Sequence, residues 1–363
     1  MPSQPPLPPL LTPYVSSLPP SSLTVLSSVL GATGNWLVLR FLYAALNSSS
    51  TSDAVAGLSD TNNGRKRKVV LVSFLRGWEF WRSEAKRLGL DIARLTDKRQ
   101  FAFVDGLSEL FAAPSTTSTQ TPTIQPSPRG TVPPRTVLPF RSQPGPIPAR
   151  GPQPARGPQP AARPVAAPPN PPTSRELGPV KRLHLSGNGN AALDVLEKDI
   201  AAVINDMKTS TSGDEQEEPE VVLVIDQPDL LLAATGPSRG IGATEMGDWV
   251  MGLQQYAHAT IMTASSDSPL IHNASASAHQ GATPLETEHA AFAIGSAHRA
   301  HMVMQLRNLE TGAARDVSGV LRVSKGGAWG QNDSTEANSH WEEKEVLYFV
   351  QRDGGVSVFG RGE

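Results

Sequence analysis

Five apolar residues in unbroken succession, Val221–Ile225, are followed at once by an aspartate in the stretch EVVLVIDQPDLLL, which runs from Glu220 to Leu232. A strand with one face in water alternates apolar and polar residues. A mostly β-branched run without alternation reads instead as a strand buried on both faces, the habit of a parallel sheet covered by helices on either side. Asp226 stands at the carboxyl end of that strand. Open α/β sheets bind ligands at this end, and in nucleotide-hydrolysing P-loop proteins an Asp placed here holds magnesium. A phosphate cradle elsewhere in the chain is what such an Asp requires.

The nearest match to a cradle lies early in the chain. Ser22–Val29 reads as a strand, LGATGN as a glycine turn, and Trp36–Leu46 (WLVLRFLYAAL) as a helix. A P-loop has this strand–loop–helix form, with a Lys and a hydroxyl residue directly after its last glycine. Gly31 and Gly34 lie in the loop and Gly34 takes the place of that last glycine. Asn35, however, stands where the Lys neutralises phosphate charge, Trp36 where a hydroxyl ligates magnesium, and Val29 where the pattern has its first Gly. The architecture is present and the phosphate chemistry is missing.

The rest of the chain bounds what the fold can be. Its 363 residues include 33 prolines and 31 glycines, spread so unevenly that one core of ordinary domain size is expected. Residues 1–20 form a Pro/Ser tail expected to be disordered, with neither the basic start nor the apolar run of a signal peptide. Residues 21–113 and 181–363 carry the apolar pattern. Between them, residues 114–180 are dominated by Pro, Ser, Thr, Gln and Ala, repeat ARGPQP in tandem, and have arginines as their only charges from Pro114 to Arg175: Arg129, Arg135, Arg141, Arg150, Arg156, Arg163 and Arg175. Such a composition cannot build a core, so a long disordered insertion is expected, either a plain variable loop or a cationic tether that holds RNA by counterion release. A formal charge of −2 gives no global attraction to nucleic acid or membrane, and the absence of cysteine excludes disulfides, thiolate zinc sites and Cys nucleophiles. The most apolar helix, Trp36–Leu46, falls short of the roughly 20 residues a bilayer requires, so no membrane association is expected.

Further strands are expected at Val69–Leu75, Phe101–Val104, Lys181–Ser186 and Ala259–Ala264. Helices are expected at Trp78–Leu88, from Leu107 (LSELF), from Asn190, at Thr244–Tyr256 and at Leu285–Ala297. The helix after Asn190 carries Leu193, Leu196, Ile200, Val203, Ile204 and Met207 on one stripe. The segments His301–Leu306, Asp316–Val323, Glu345–Gln351 and Val356–Phe359 read as antiparallel strands, with Asp353-Gly354-Gly355 turning the last pair.

Four other features have both a functional and a plain structural reading. Arg65-Lys66-Arg67-Lys68 is either a nuclear-import or RNA-contact patch or the solvated start of a strand. Thr235–Gly242 (TGPSRGIG) matches the cofactor turn of short-chain dehydrogenases, but no Tyr in the chain has Lys four residues on, and Gly187-Asn188-Gly189 is a weaker echo of the same pattern. His289, His298 and His301, with Glu286 and Glu288, lack an HExxH spacing, and no metal site is expected. Asp226, without a Lys partner, also reads as a buried carboxylate that caps the next segment.

The succession LGATGNWLVLRFL, VVLVSFLRGWEFWRSEAKRLGLDIARLTDKRQFAFVDGLSELF, VVLVIDQPDLLLAATG and RDVSGVLRVSKG resembles the Elongator complex protein 6 family. RLGLDIARLTDKRQFAFVDGL is its most specific part, and the likeness covers roughly Ser21–Ala113 and Lys181–Gly360. The resemblance implies a RecA-like α/β fold: a twisted, mostly parallel sheet flanked by helices, with a C-terminal antiparallel region and here a long Pro-rich insertion. It implies a subunit without catalytic residues or cofactor, joined with Elongator proteins 4 and 5 in a six-membered ring. Such a ring binds tRNA, docks onto the catalytic Elongator subunits and supports modification of the wobble uridine at tRNA position 34, in the cytoplasm and also the nucleus. A nucleotide-dependent enzyme, either an atypical ATPase or a dehydrogenase using Thr235–Gly242, is the alternative.

Overall fold

The computed structural model describes residues 7–16, 18–47, 67–112, 178–209, 218–271, 282–310, 312, 314–330 and 341–360. By contact the chain divides into one unit of Met1–Pro114 with Leu177–Glu363 and a second of Ser115–Glu176; every described element belongs to the first. Nearly all of the Pro/Arg-rich stretch expected as an insertion lies outside the described residues, as do Arg65 and Lys66.

The chain opens with α1 (Thr12–Val15) and continues through β1 (Ser22–Ser28), α2 (Asn35–Asn47), β2 (Arg67–Ser73), α3 (Trp78–Arg87), α4 (Ile92–Asp97) and β3 (Phe101–Asp105). After the second unit come β4 (Lys181–Arg182), α5 (Gly189–Thr209), β5 (Glu220–Asp226), α6 (Asp229–Thr235), α7 (Ala243–Gln254), β6 (Ala259–Ser265), α8 (Ser268–Ile271) and α9 (Pro284–Arg299). The chain closes with β7 (Met302–Arg307), β8 (Gly319–Lys325), β9 (Lys344–Val350) and β10 (Val356–Phe359). All the strands join one 10-stranded sheet in the order β10-β9-β8-β7-β1-β6-β5-β2-β3-β4. Neighbours from β4 across to β7 run parallel, and β7 to β10 run antiparallel. The sheet ends in short strands at both margins.

The unbroken apolar run of β5 has a direct cause in this layering. Val222 and Val224 point into a core shared with Trp36, Phe41 and Trp81 of α2 and α3. Val221, Leu223 and Ile225 point into the opposite core, with Leu193, Leu196 and Ile200 of α5, Trp249 of α7 and Phe292 of α9. Helices cover both faces, so neither set of alternating side chains meets water. Chains leaving the neighbouring strands β1 and β6 turn to opposite faces, and the same holds for β2 and β5. The carboxyl ends of these two pairs are therefore the topological switch points, where an open α/β sheet forms its crevices.

Five expectations need correction. Residues 7–16 and 18–20, expected as part of a disordered tail, are ordered: Leu11, Tyr14, Val15 and Leu18 are buried, and the Tyr14 ring meets Trp341 edge-on at 5.5 Å. Sparse apolar residues suffice there because prolines already restrict the chain that must be ordered. Leu107–Phe111 starts no helix, because Asp105 Oδ1 accepts the N–H groups of Leu107 and Ser108 and holds a turn in its place. Only Lys181 and Arg182 of the Lys181–Ser186 segment form a strand beside β3, with one further bond from the Leu183 N–H to the Asp105 carbonyl at 2.8 Å. Strand β7 is antiparallel only to β8 and lies parallel to β1 on its other side. The short helix α6 follows β5 where no element was expected. Among the described residues no helix is long and apolar enough to cross a membrane.

Candidate functional site

The glycine loop lies where the P-loop pattern puts it, at the carboxyl end of β1 ahead of α2. Its backbone is closed by the protein itself. The Ala32 N–H donates to the Val29 carbonyl at 2.9 Å, and the Leu30 N–H donates to the Asp267 carboxylate at 2.8 Å. Asn308 Nδ2 donates to the Leu30 carbonyl at 3.1 Å and crowds Gly31, where a Cβ would stand 3.3 Å from the Asn308 side-chain oxygen. Gly31 also needs its freedom at φ +91°. Asn35 accepts the Thr33 hydroxyl at 2.9 Å. Trp36 is buried and packs on Tyr348 with ring centroids 4.9 Å apart. A carboxylate thus occupies one of the loop N–H groups, and an indole fills the volume of a magnesium-ligating hydroxyl. Leu30, at the tip, is 83% exposed.

Asp226 lies at the other switch point, in a cluster assembled by strand register. Ser73 of β2 stands directly opposite Asp226, and β6 brings Thr263 to its other side. Asp226 Oδ2 accepts the Ser73 hydroxyl at 2.7 Å, Oδ1 accepts the Thr263 hydroxyl at 3.0 Å, and the Arg76 guanidinium donates to both oxygens, at 2.9 and 3.2 Å. Burial pushes the Asp226 carboxyl above its ordinary pKa, against the pull of Arg76 and the two hydroxyls. Both carboxylate oxygens are engaged, and the Arg76 guanidinium bonds the two of them. The next residue, Gln227, turns the chain at φ +56° and gives its N–H to Thr263 Oγ1 at 2.8 Å. A non-glycine residue in this left-handed region is a local strain, held here by those bonds.

The carboxyl end of β6 links the two places. Thr263 touches Asp226, the Ser265 hydroxyl donates to Gln227 Oε1 and its N–H to Asp229 Oδ2, Ser266 N–H donates to the Ser28 carbonyl, and Asp267 holds the loop. A polar ridge therefore runs across the sheet's carboxyl edge, its groups bonded to one another except the buried Asp229 Oδ1 and Ser266 Oγ.

The other candidates are placed as follows. Arg67 bonds Glu220 at 3.1 Å and the Ser16 carbonyl at 2.9 Å, while Lys68 is buried with Nζ donating to the Met207 carbonyl at 2.7 Å. These two start a strand as expected, but they are tied down rather than solvated. Thr235–Gly242 follows a helix instead of a strand, and the N–H groups of Gly242 and Ala243 at the start of α7 are taken by Glu245 and Glu288 at 2.9 and 2.7 Å. The setting of a dinucleotide turn is absent there. Gly187-Asn188-Gly189 leads into α5, whose first residue, Gly189, is packed against Gly240. His289 is buried: its Nε2 lies 3.2 Å from Asp229 and its Nδ1 3.2 Å from the Leu270 carbonyl. His298 is exposed, and His301 stacks on Trp329 at 4.4 Å, so the three histidines are not brought together. Among the described residues no group of His, Asp and Glu has a metal-holding arrangement.

Sequence reasoning missed Ser73, Arg76 and Thr263 as partners of Asp226, and Asp229 as the partner of His289. The signal available for the first set was a polar residue at the end of each apolar run, VVLVS and ATIMT, which adjacent parallel strands align. Arg40 was also missed: it sits inside WLVLRFL, is 2% exposed, and burial lowers its guanidinium pKa to about 10. No protein-family model matches the chain, and no curated protein matches it.

Proposed function

We propose that this chain is a non-catalytic, RecA-like subunit of the Elongator type, whose sheet and helices serve assembly rather than nucleotide turnover. One observation carries the reading: each of the two positions where a P-loop enzyme handles Mg-nucleotide is filled by the protein's own groups. Asp267 holds a loop N–H and Trp36 fills the hydroxyl's place, while Arg76 covers the Asp226 carboxylate. Stabilising a transferring phosphoryl group takes a loop Lys and a bound metal ion together. The loop presents a carboxylate and a ring instead.

On this reading the chain joins Elongator proteins 4 and 5 in a hetero-hexameric ring that captures tRNA and supports wobble uridine modification by the catalytic Elongator subunits, in the cytoplasm and nucleus. In a closed ring a subunit is required for geometry even without a site of its own. The arginines within residues 114–180 strengthen tRNA capture by counterion release. The test is stoichiometric co-elution with two other RecA-like proteins, together with an ATP turnover assay on the isolated chain. Magnesium-dependent turnover abolished by Asp226→Ala overturns the reading in favour of an atypical ATPase.

A further inference from the structure

Arg40 raises a question that an assembly role does not answer. It is 2% exposed in the middle of an apolar helix, its only hydrogen bond among the described residues is a long one of 3.3 Å from Nη2 to the Gly354 carbonyl, and its Nε has no partner. Among the described residues no carboxylate pairs with it. A buried cation is ordinarily paired or absent, because removing it from water without a counter-charge is costly.

The guanidinium is not sealed in, however. It lines a cleft of about 240 Å³, together with Gly31, Thr33 and Asn35 at the start of α2, of which Gly31 and Thr33 are exposed. Trp36, Leu39, Leu88 and Val350 make its apolar walls, with the Tyr348 ring packed against Trp36. Glu84 is the single carboxylate lining it, and its Oε1 is engaged by Arg87 Nη1 at 3.0 Å. No protein group among the described residues accepts the N–H groups of Asn35 or Trp36, two residues that line the cleft, so the positive end of the α2 dipole adds to the charge of Arg40. A buried unpaired cation, free donors and apolar walls in one concavity define a complement to a small anion on an apolar body.

We propose that this cleft binds a small organic oxyanion, a phosphoryl or carboxylate group carried on an aromatic or aliphatic body, with Arg40 as the counter-charge and the Trp36 and Tyr348 wall receiving the body. Neither a Lys in the loop nor a free metal-binding carboxylate is needed for a single oxyanion. The site therefore stands whether or not the chain is a ring subunit.

Thermal unfolding of the full chain tests it, with inorganic phosphate, phenyl phosphate and benzoate each added to about 10 mM against chloride of equal ionic strength. The two aromatic probes separate a phosphoryl from a carboxylate preference, and either one supports the proposal. The melting temperature of the parent should rise with an aromatic anion more than with inorganic phosphate. Arg40→Met should weaken that binding about 10-fold or more while melting no lower than the parent without ligand, since an uncompensated buried charge has been removed. Thr33→Glu, a change at an exposed lining position that leaves the core untouched, should also weaken binding, by repulsion. The absence of any shift in the parent, or equal shifts in the parent and Thr33→Glu, overturns the proposal. Equal shifts in the parent and a folded Arg40→Met do the same, because they are what general anion exclusion from the surface produces.

Discussion

Replacing Arg76 by Met keeps an unbranched side chain of similar length but removes the cation over Asp226, and with it the guanidinium's contacts to Phe80 and Trp81, whose ring centroids lie 5.3 and 5.9 Å from the guanidinium carbon. Asp226 then remains 1% exposed with only the Ser73 and Thr263 hydroxyls as side-chain donors. Breaking a buried ion pair on one side costs about 3–5 kcal/mol. Arg76 is 16% exposed and two hydroxyls remain, which places this case near about 3 kcal/mol. Against a total stability of about 5–15 kcal/mol, that loss is readily measured. Its pH dependence identifies the mechanism. The folded-state pKa of Asp226 already lies above its unfolded value because of burial, so ionisation of this group costs stability as pH rises through the folded value. Without Arg76 the folded value climbs further and the cost grows. Urea titrations should therefore show a larger deficit at about pH 7 than at about pH 5, and Asp226→Asn in the Arg76→Met background should recover most of it. A deficit independent of pH, adding fully to that of Asp226→Asn, would refute the reasoning.

Three further outcomes are expected. Trp36→Ala should cost about 3–5 kcal/mol by leaving a cavity against Tyr348, read as a lower urea midpoint with an unchanged slope. His289→Ala should cost about 1–3 kcal/mol, since Asp229 is left buried with the Ser265 N–H as its remaining donor, and amide exchange at Ser265 should accelerate. Deleting residues 115–172 should leave co-purification with the ring partners intact and flatten the salt dependence of tRNA binding, while identical slopes with and without the stretch would remove its role in capture.

Elements whose burial repeats in sequence were legible from the chain alone. The two-sided run of β5 and the single stripe of α5 each carry their signal within a few residues. What escaped depends on contacts between distant parts of the chain. Leu11 and Tyr14 look like members of a polar tail until Trp341 is beside them, and β7 looks antiparallel until β1 becomes its second neighbour. The site divides in the same way. Asp226 was visible as a strand-end acid, but Ser73 and Thr263 become its partners only through pairing across strands far apart in sequence. Arg40 was hidden because an apolar helix reads the same whether its lone cation is covered or free.

The margins of the sheet carry a consequence for association. One border strand, β4, is two residues long and the other, β10, is four. Each exposes too little unpaired backbone to template a foreign strand, which is how many sheet proteins avoid runaway self-association. Among the described residues the larger surfaces open to a companion chain are helix faces and connecting loops, where side-chain chemistry, rather than main-chain continuity, decides who is accepted.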